Sequence, residues 1–297
     1  MPALPLGVAL LAHAEHRRRG VSTTRTVLRT NVDRRGSPLI YCAGRGEIIM
    51  ELNEEQMERY RRQISLPEIG EEGQLRLASS KVLLTGVGGL GSAAAIYLAG
   101  AGVGTIGLAD GDTVELDNLH RQVLYTMADI GNMKVECAAE SLLVLNPEIH
   151  VPTYPERLTE KNATEIVREY DVVIDTCDNF PTRYLTNEAC SAENKPYIHG
   201  SIYGFEGQVT VFVPGKGPCY RCLYPEPPPS EPTSEQPGIL GMAPGVIGTI
   251  QAAEAIKLLL GIGTNFVGRI LLIDLLHGGF HEVNVARNPD CPVCGKR

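Results

Sequence analysis

Residues 81–92, KVLLTGVGGLGS, constrain this chain more than any other stretch. An apolar run of strand length enters a glycine-rich turn, and an alanine-rich run of helical length follows to about Ala101. Gly86, Gly88 and Gly91 stand in the order Gly-x-Gly-x-x-Gly, with Gly89 inside the same turn. Absent side chains let the backbone and a helix N-terminus approach the phosphates of a nucleotide. The same glycines would equally serve a tight turn with close strand–helix packing, so the motif takes its meaning from its surroundings. A second strand, TIGLAD, ends at Asp110, 24 residues after Gly86, and brings an acid of the kind that binds ribose. This is one βαβ unit with a nucleotide as its expected ligand; dinucleotide and ATP both stay open.

The rest of the chain repeats the alternation. Asn53 with Gln56 three positions on reads as a helix cap, and Met57, Tyr60 and Ile64 follow at helical spacing, leaving Arg59, Arg61 and Arg62 off the apolar stripe. A helix is expected from about Lys134, with Val135, Ala138, Ala139, Leu142 and Leu145 on one face, stopping at Asn146-Pro147. A strand at 171–175 and a helix from about Thr182 to Ala192 come next. After Lys195 the pattern changes to short strands such as QVTVFV and then a loop, 224–245, holding seven prolines. The nearly all-apolar TIQAAEAIKLLLG that closes it is expected to lie in the core or in a subunit interface. The predicted fold class is α/β: a Rossmann-like, doubly wound, mainly parallel sheet with a C-terminal antiparallel extension and a structural zinc site. Residues 50–297 form its single domain.

Charge narrows the function classes. The net charge of −8 is unevenly spread: residues 1–49 carry eight Arg against three acids, which leaves the remainder at −13. An acidic body opposes adhesion to nucleic-acid phosphates, and zero Trp leaves few platforms for base stacking, so general nucleic-acid binding is excluded. No run of apolar residues reaches the length needed to span a bilayer, which excludes a membrane-spanning protein. Residues 1–49 show little periodicity and read as a disordered tail or as residues ahead of the true start, since Met50 itself opens a plausible N-terminus. An Arg-rich transit peptide is the weaker alternative.

The segment DGDTVELDNLHRQ brings Asn118 and Arg121 close behind Asp110, and Lys134 opens the next helix. Each alone reads as a solvated surface residue. Gathered behind a glycine turn in an acidic protein, they form a polar and cationic cluster that calls for an anionic occupant. DTCDNFPTR then offers Asp175 and Asp178 at the carboxyl end of a strand, where doubly wound sheets bind ligands, and one of the two is expected to hold magnesium. Asp178 also suits a helix N-cap. Cys219, Cys222, Cys291 and Cys294 form two Cys-x-x-Cys pairs with 68 residues between them, a tetrahedral zinc pattern with no open ligand position and hence structural. That use of cysteine points to a reducing, cytoplasmic compartment.

RYRRQI, GVGGLGS, DGDTVELDNLHRQ, DTCDNFPTR, PCYRC and CPVC, in this order across 58–294, resemble the MoeB/ThiF/HesA family, bacterial relatives of ubiquitin-activating enzymes. The resemblance implies ATP-dependent adenylation of the C-terminal Gly-Gly carboxylate of a small ubiquitin-fold sulfur-carrier protein, with release of pyrophosphate. It assigns Asp110 to ribose, Asn118, Arg121 and Lys134 to the phosphates, Asp112 to an assisting place near the nucleotide, and Asp178 to Mg²⁺. It also implies a homodimer in which Arg62 reaches the nucleotide of the opposite subunit. Many relatives carry a cysteine before Gly-(Val/Ile)-Leu-Gly; here Ser234 stands there, so the enzyme is expected to stop at the adenylate and leave it to a separate sulfur donor, such as a cysteine desulfurase or rhodanese. Thiamine, molybdopterin, cysteine and tRNA-thiolation routes all stay open. So do two alternatives: adenylation of a modified-tRNA carboxylate by the same fold, and an NAD-dependent oxidoreductase in which Arg121 and Lys134 are structural.

Overall fold

A strand without a polar face must lie in a sheet covered on both sides, and Val82, Leu83 and Leu84, all fully buried, meet that condition together with Ile106 and Leu108. The computed structural model describes residues 28–32, 38–41, 48–227 and 238–295. It divides into two units, 1–51 and 52–297. In the first, β1 (Leu28–Val32), β2 (Pro38–Tyr41) and β3 (Ile48–Met50) make a three-stranded antiparallel sheet. Three short strands thus stand in and at the end of the segment whose sequence shows little periodicity; most of that segment lies outside the described residues.

The second unit opens with α1 (Glu54–Ile64), whose cap is the expected box: Asn53 Oδ1 accepts from Gln56 N at 2.8 Å and Gln56 Oε1 from Asn53 N at 3.0 Å. Tyr60 is buried from the apolar stripe, and Arg62 is exposed. After α2 (Gly70–Ser79) come β4 (Lys81–Thr85), α3 (Gly89–Ala101), β5 (Thr105–Ala109), α4 (Lys134–Leu145), β6 (Thr153–Tyr154), α5 (Ala163–Arg168), β7 (Val172–Asp175) and α6 (Phe180–Ala192). Then follow β8 (Tyr197–Tyr203), β9 (Glu206–Phe212), the short α7 (Tyr220–Leu223), α8 (Ala243–Leu260), β10 (Arg269–Asp274) and β11 (Gly279–Asn284).

The eight strands run in the order β11-β10-β9-β8-β7-β4-β5-β6. From β6 to β8 all neighbours are parallel, and from β8 to β11 all are antiparallel, which is the predicted architecture. The chain moves from β4 outward to β6, then returns to place β7 on the other side of β4. The carboxyl ends of β4 and β7 therefore flank the switch point at which such sheets bind ligands. Thr85 is paired with Asp175 across it.

The apolar α8 packs on α3 so closely that a Cβ at Gly248 would lie 2.2 Å from Leu90 O. At 18 residues it is long and apolar enough to cross a bilayer, but more than half of it is buried inside this unit. Its one deeply buried acid, Glu254, is satisfied: Oε2 accepts from Asn265 Nδ2 at 2.8 Å and Phe266 N at 3.1 Å, and Lys257 pairs with Oε1. The helix begins six residues before the expected start because Pro244 takes the first turn, where its missing N–H costs nothing.

Candidate functional site

Gly86, at φ +128°, ends β4 in a backbone region closed to other residues, and a Cβ there would lie 2.8 Å from Thr176 O. Thr176 Oγ1 in turn donates to Gly86 O at 2.6 Å, so the two strand ends are bound together. Gly91 seats α3 on the turn; its Cβ would meet Gly86 O at 2.3 Å. Gly88 differs, since the nearest atom to a Cβ would be Gln122 Nε2 at 3.7 Å. Packing therefore explains Gly86 and Gly91, as it does Gly89 against Pro244, and leaves Gly88 as the bare face of the turn.

Asp110 follows directly on β5, one residue past the strand that was expected to contain it. Its Oδ2 accepts from Val87 N at 2.8 Å and its Oδ1 from Asp112 N at 2.9 Å, tying the glycine turn to the neighbouring strand. Burial pushes its carboxyl above the usual range despite these donors. Each oxygen keeps one further acceptor position, which suits a pair of ribose hydroxyls.

Lys134, buried at the first turn of α4, reaches Asp112 Oδ2 at 3.3 Å. Asn118 is buried in a short 3₁₀ turn, Leu116–Asn118, where its Oδ1 accepts from Glu115 N at 3.2 Å. Arg121 Nη1 donates to Asp117 O at 2.8 Å, and its own carbonyl lies beside Gly89. The glycine turn, Asp110, Asp112, Asn118, Arg121 and Lys134 are thus gathered at one end of the sheet. Sequence reasoning passed over two of their neighbours. Gln122 is buried beside Gly88 with its Oε1 unpartnered, and Arg157, from the segment after β6, donates from Nη2 to Asp112 Oδ1 at 2.8 Å. Gln122 closes the segment DGDTVELDNLHRQ, whereas Arg157 is 45 residues from its partner and carries no sequence signal.

The two acids at the carboxyl end of β7 have separate fates. Asp175 is wholly buried: Oδ2 accepts from His199 Nδ1 at 2.6 Å and Tyr197 OH at 2.8 Å, Oδ1 from Cys177 N at 3.2 Å and Cys177 Sγ at 2.9 Å, and Arg183 Nε lies 3.7 Å away. Burial pushes this carboxyl up, and donation from His199 with the charge of Arg183 outweighs it and holds the acid ionised, below the usual range. Burial likewise lowers His199, so a neutral imidazole donates to a carboxylate. Both oxygens of Asp175 are thus taken up by partners within the fold. Asp178 is exposed in the next turn, its Oδ1 touched only by Asn179 Nδ2 at 3.4 Å among the hydrogen bonds of the described residues. It is not the cap of α6; Asn179 is, accepting from Thr182 N at 3.0 Å. An exposed, uncommitted carboxylate at the switch point is what a hard cation with bound phosphates needs.

The Sγ atoms of Cys219, Cys222, Cys291 and Cys294 all lie within 4.8 Å of one another. Cys219–Cys222, Cys219–Cys291 and Cys222–Cys294 are 3.9, 3.6 and 3.4 Å apart. Tetrahedral zinc with bonds of about 2.3 Å requires sulfur separations of about 3.8 Å, so the four fit the ion. Asn288 N donates to Cys222 Sγ at 3.4 Å. Burial raises the Cys291 thiol, and the N–H groups of Cys294 and Val293 outweigh it, lowering the thiol to about 7.

Arg62 stands apart from this assembly. Tyr60, two residues earlier, packs on Gly102 at the C-terminal end of α3, where a Cβ would lie 2.6 Å from its ring. The glycine turn is at the opposite end of that 13-residue helix, about 20 Å away at 1.5 Å per residue. Ser234 lies outside the described residues.

The ThiF family pattern matches residues 60–293. A Thermus thermophilus protein named sulfur carrier protein adenylyltransferase is 50% identical over 253 residues, covering 83% of this chain and 93% of its own. The SAMP-activating enzyme E1 of Haloferax volcanii is 48% identical over 249 residues, covering 83% and 92%. Adenylyltransferase and sulfurtransferase MOCS3 of Sus scrofa is also 48% identical, but this chain spans only 55% of its length. Among solved structures, E. coli MccB with MccA-N7isoASN superimposes with a TM-score of 0.73 at 28% identity, over 84% of this chain and 77% of that one. With the family match running from Tyr60 through the glycine turn, the cationic segment and Asp178 to beyond Cys291, the chain belongs to the ThiF family.

Proposed function

We propose that this chain is an adenylyltransferase that uses ATP to activate the C-terminal Gly-Gly carboxylate of a ubiquitin-fold sulfur carrier. The observation that carries the reading is the joint placement of Gly88, Asp110 and Lys134 at the switch point, beside an Asp178 free of other duties. A carboxylate must attack an α-phosphate that is itself an anion, so the barrier is mainly electrostatic and falls when fixed donors and cations surround the phosphates. Asp110 holds the ribose, and Gly88 lets the backbone approach the phosphate chain. Asn118, Arg121 and Lys134 bind the phosphates and carry the charge that collects on departing pyrophosphate. Asp178 would hold Mg²⁺, which neutralises phosphate charge when bound.

Arg62 completes the site from a second copy of the chain. The length of α3 between Tyr60 and the glycine turn supports this assignment, because the arginine of one chain starts from the wrong end of the helix to serve its own nucleotide. With Ser234 in place of a thiol, the product is the acyl-adenylate, and a separate donor such as a cysteine desulfurase or rhodanese delivers sulfur to it. A reducing compartment such as the cytoplasm keeps the four thiols available for zinc.

ATP–pyrophosphate exchange with Gly-Gly-ended carriers tests the reading. Exchange that needs the carrier and vanishes when its last glycine is removed supports it. Affinity for NAD with none for ATP overturns it.

A further inference from the structure

Lys134 and Arg157 share the two oxygens of one carboxylate. Asp112 Oδ2 lies 3.3 Å from Lys134 Nζ, and Asp112 Oδ1 lies 2.8 Å from Arg157 Nη2. The three differ sharply in exposure: side chains are 9% exposed for Lys134, 40% for Asp112 and 70% for Arg157. A nearly buried ammonium requires a counter-ion when no phosphate is present. Asp112 is that counter-ion, and it is also a rival of any phosphate that needs the same ammonium. Arg157 changes the balance of this competition. Its donation to Oδ1 draws charge away from the oxygen facing Lys134, and it brings the trio from neutral to a net charge of +1.

The backbone fixes the trio in place. Asp112 O accepts from Lys134 N at 3.0 Å, and a Cβ at Gly111 would lie 3.3 Å from Arg157 N. Asp110 N donates to Tyr154 O at 3.2 Å, binding the strand that leads to Arg157 to the one that leads to Asp112. The negative charges of Asp178 and Asp110 also reach Arg157, so its cationic head lies within the field of the ribose acid and the magnesium acid.

We propose that Arg157 is a positioning residue for the nucleotide: by holding Asp112, it keeps the Lys134 ammonium available to a triphosphate. The inference rests on the nucleotide reading and deepens it. Asp112 then works through Lys134, not through the nucleotide. When the triphosphate arrives, Lys134 Nζ exchanges Asp112 Oδ2 for a phosphate oxygen, and Asp112 stays ionised and paired with Arg157. No bond is made or broken and no proton moves.

The test is calorimetric binding of MgATP to the full chain and three variants. In Arg157→Ala the carboxylate competes for Lys134 without restraint, and the Kd for MgATP rises about fivefold, the scale of one partly exposed ion pair. Arg157→Lys keeps the charge without the fork and falls between the two. The deciding variant is Arg157→Ala with Asp112→Asn, which removes the rival as well as its restraint; affinity returns to within about twofold of the parent. A contact that merely supported the fold would make the double variant worse than the single one. Unchanged affinity in Arg157→Ala, or a double variant weaker than the single, overturns the proposal while leaving ATP binding by the parent chain intact. Failure of the parent to bind MgATP overturns the nucleotide reading itself and the proposal with it.

Discussion

His199 Nδ1 lies 2.6 Å from Asp175 Oδ2, and neither side chain has access to solvent. Both groups are displaced in the direction that keeps the pair as neutral imidazole and carboxylate. The folded state therefore resists protonation at His199, whereas the unfolded chain takes up that proton below its ordinary value of 6.5. Stability from this group is present above 6.5 and is lost as pH falls toward the lower folded-state value. Asp175 adds a second loss, at pH values below the ordinary carboxylate 3.8. The urea midpoint should fall between about pH 7 and about pH 5. In His199→Asn, whose amide keeps a donor for Asp175, the fall should be smaller. His199→Ala, which leaves the buried carboxylate short of a donor, should cost about 3 kcal/mol at neutral pH. Equal pH slopes in parent and Asn variant would remove this account.

Zinc content offers an independent check. The protein should bind one ion per chain, and Cys294→Ser should reduce both occupancy and melting temperature, the latter on the order of 10 °C, since metal-binding energy at such sites is folding energy. Chelation should lower the melt of the parent and leave Cys294→Ser almost unaffected.

Two glycines of one turn should separate packing from binding. Gly91→Ala forces a Cβ to 2.3 Å from Gly86 O and should cost about 1–3 kcal/mol of stability. Gly88→Ala meets nothing closer than 3.7 Å and has φ −76°, so its unfolding midpoint should stay within about 0.5 kcal/mol of the parent while MgATP affinity drops. If Gly88→Ala binds nucleotide as well as the parent does, the turn is not a phosphate cradle.

Mixing should rescue activity if Arg62 works across two copies. Arg62→Ala and Asp178→Ala should each be deficient in carrier-dependent exchange, and exchanged mixtures should regain up to about a quarter of parental activity, because a random hetero-dimer has one intact site. No recovery after proven subunit exchange would return Arg62 to the surface.

Ser234→Ala should leave carrier-dependent pyrophosphate exchange nearly unchanged, since a hydroxyl without an adjacent base is a poor nucleophile. A loss of tenfold or more would restore a covalent role to this loop.

The local features of the fold were legible where spacing carries a physical meaning. The capping box at Asn53, the glycine turn and the buried strands declare themselves because cap, φ > 0 and two-sided burial each restrict residue type. The short β6 and the partly exposed β10 and β11 lack such restrictions; β6 and β10 take their register from β5 and β9, distant in sequence, and β11 follows β10 across a short turn. Within the site, residues close along the chain could be grouped by motif, and the cysteine pairs by metal spacing. Asp175 and Asp178 could not be told apart by type. Only the third dimension shows that His199, Tyr197 and Arg183 surround one of them and leave the other free. Arg157 carries no signal for the same reason, its partner being fixed by the parallel pairing of β5 with β6.

Both stems of the proline-rich stretch are fastened to the core. On one side Tyr184 OH donates to Tyr224 O at 2.9 Å and the cysteines clasp α7; on the other, Leu240 N donates to Gly204 O at 3.1 Å, and Gly241 lies against His120. Insertions or deletions between such anchors cost little, because closure entropy grows only with the logarithm of length. The length of this stretch can therefore change at little cost to the sheet to which its two ends are tied.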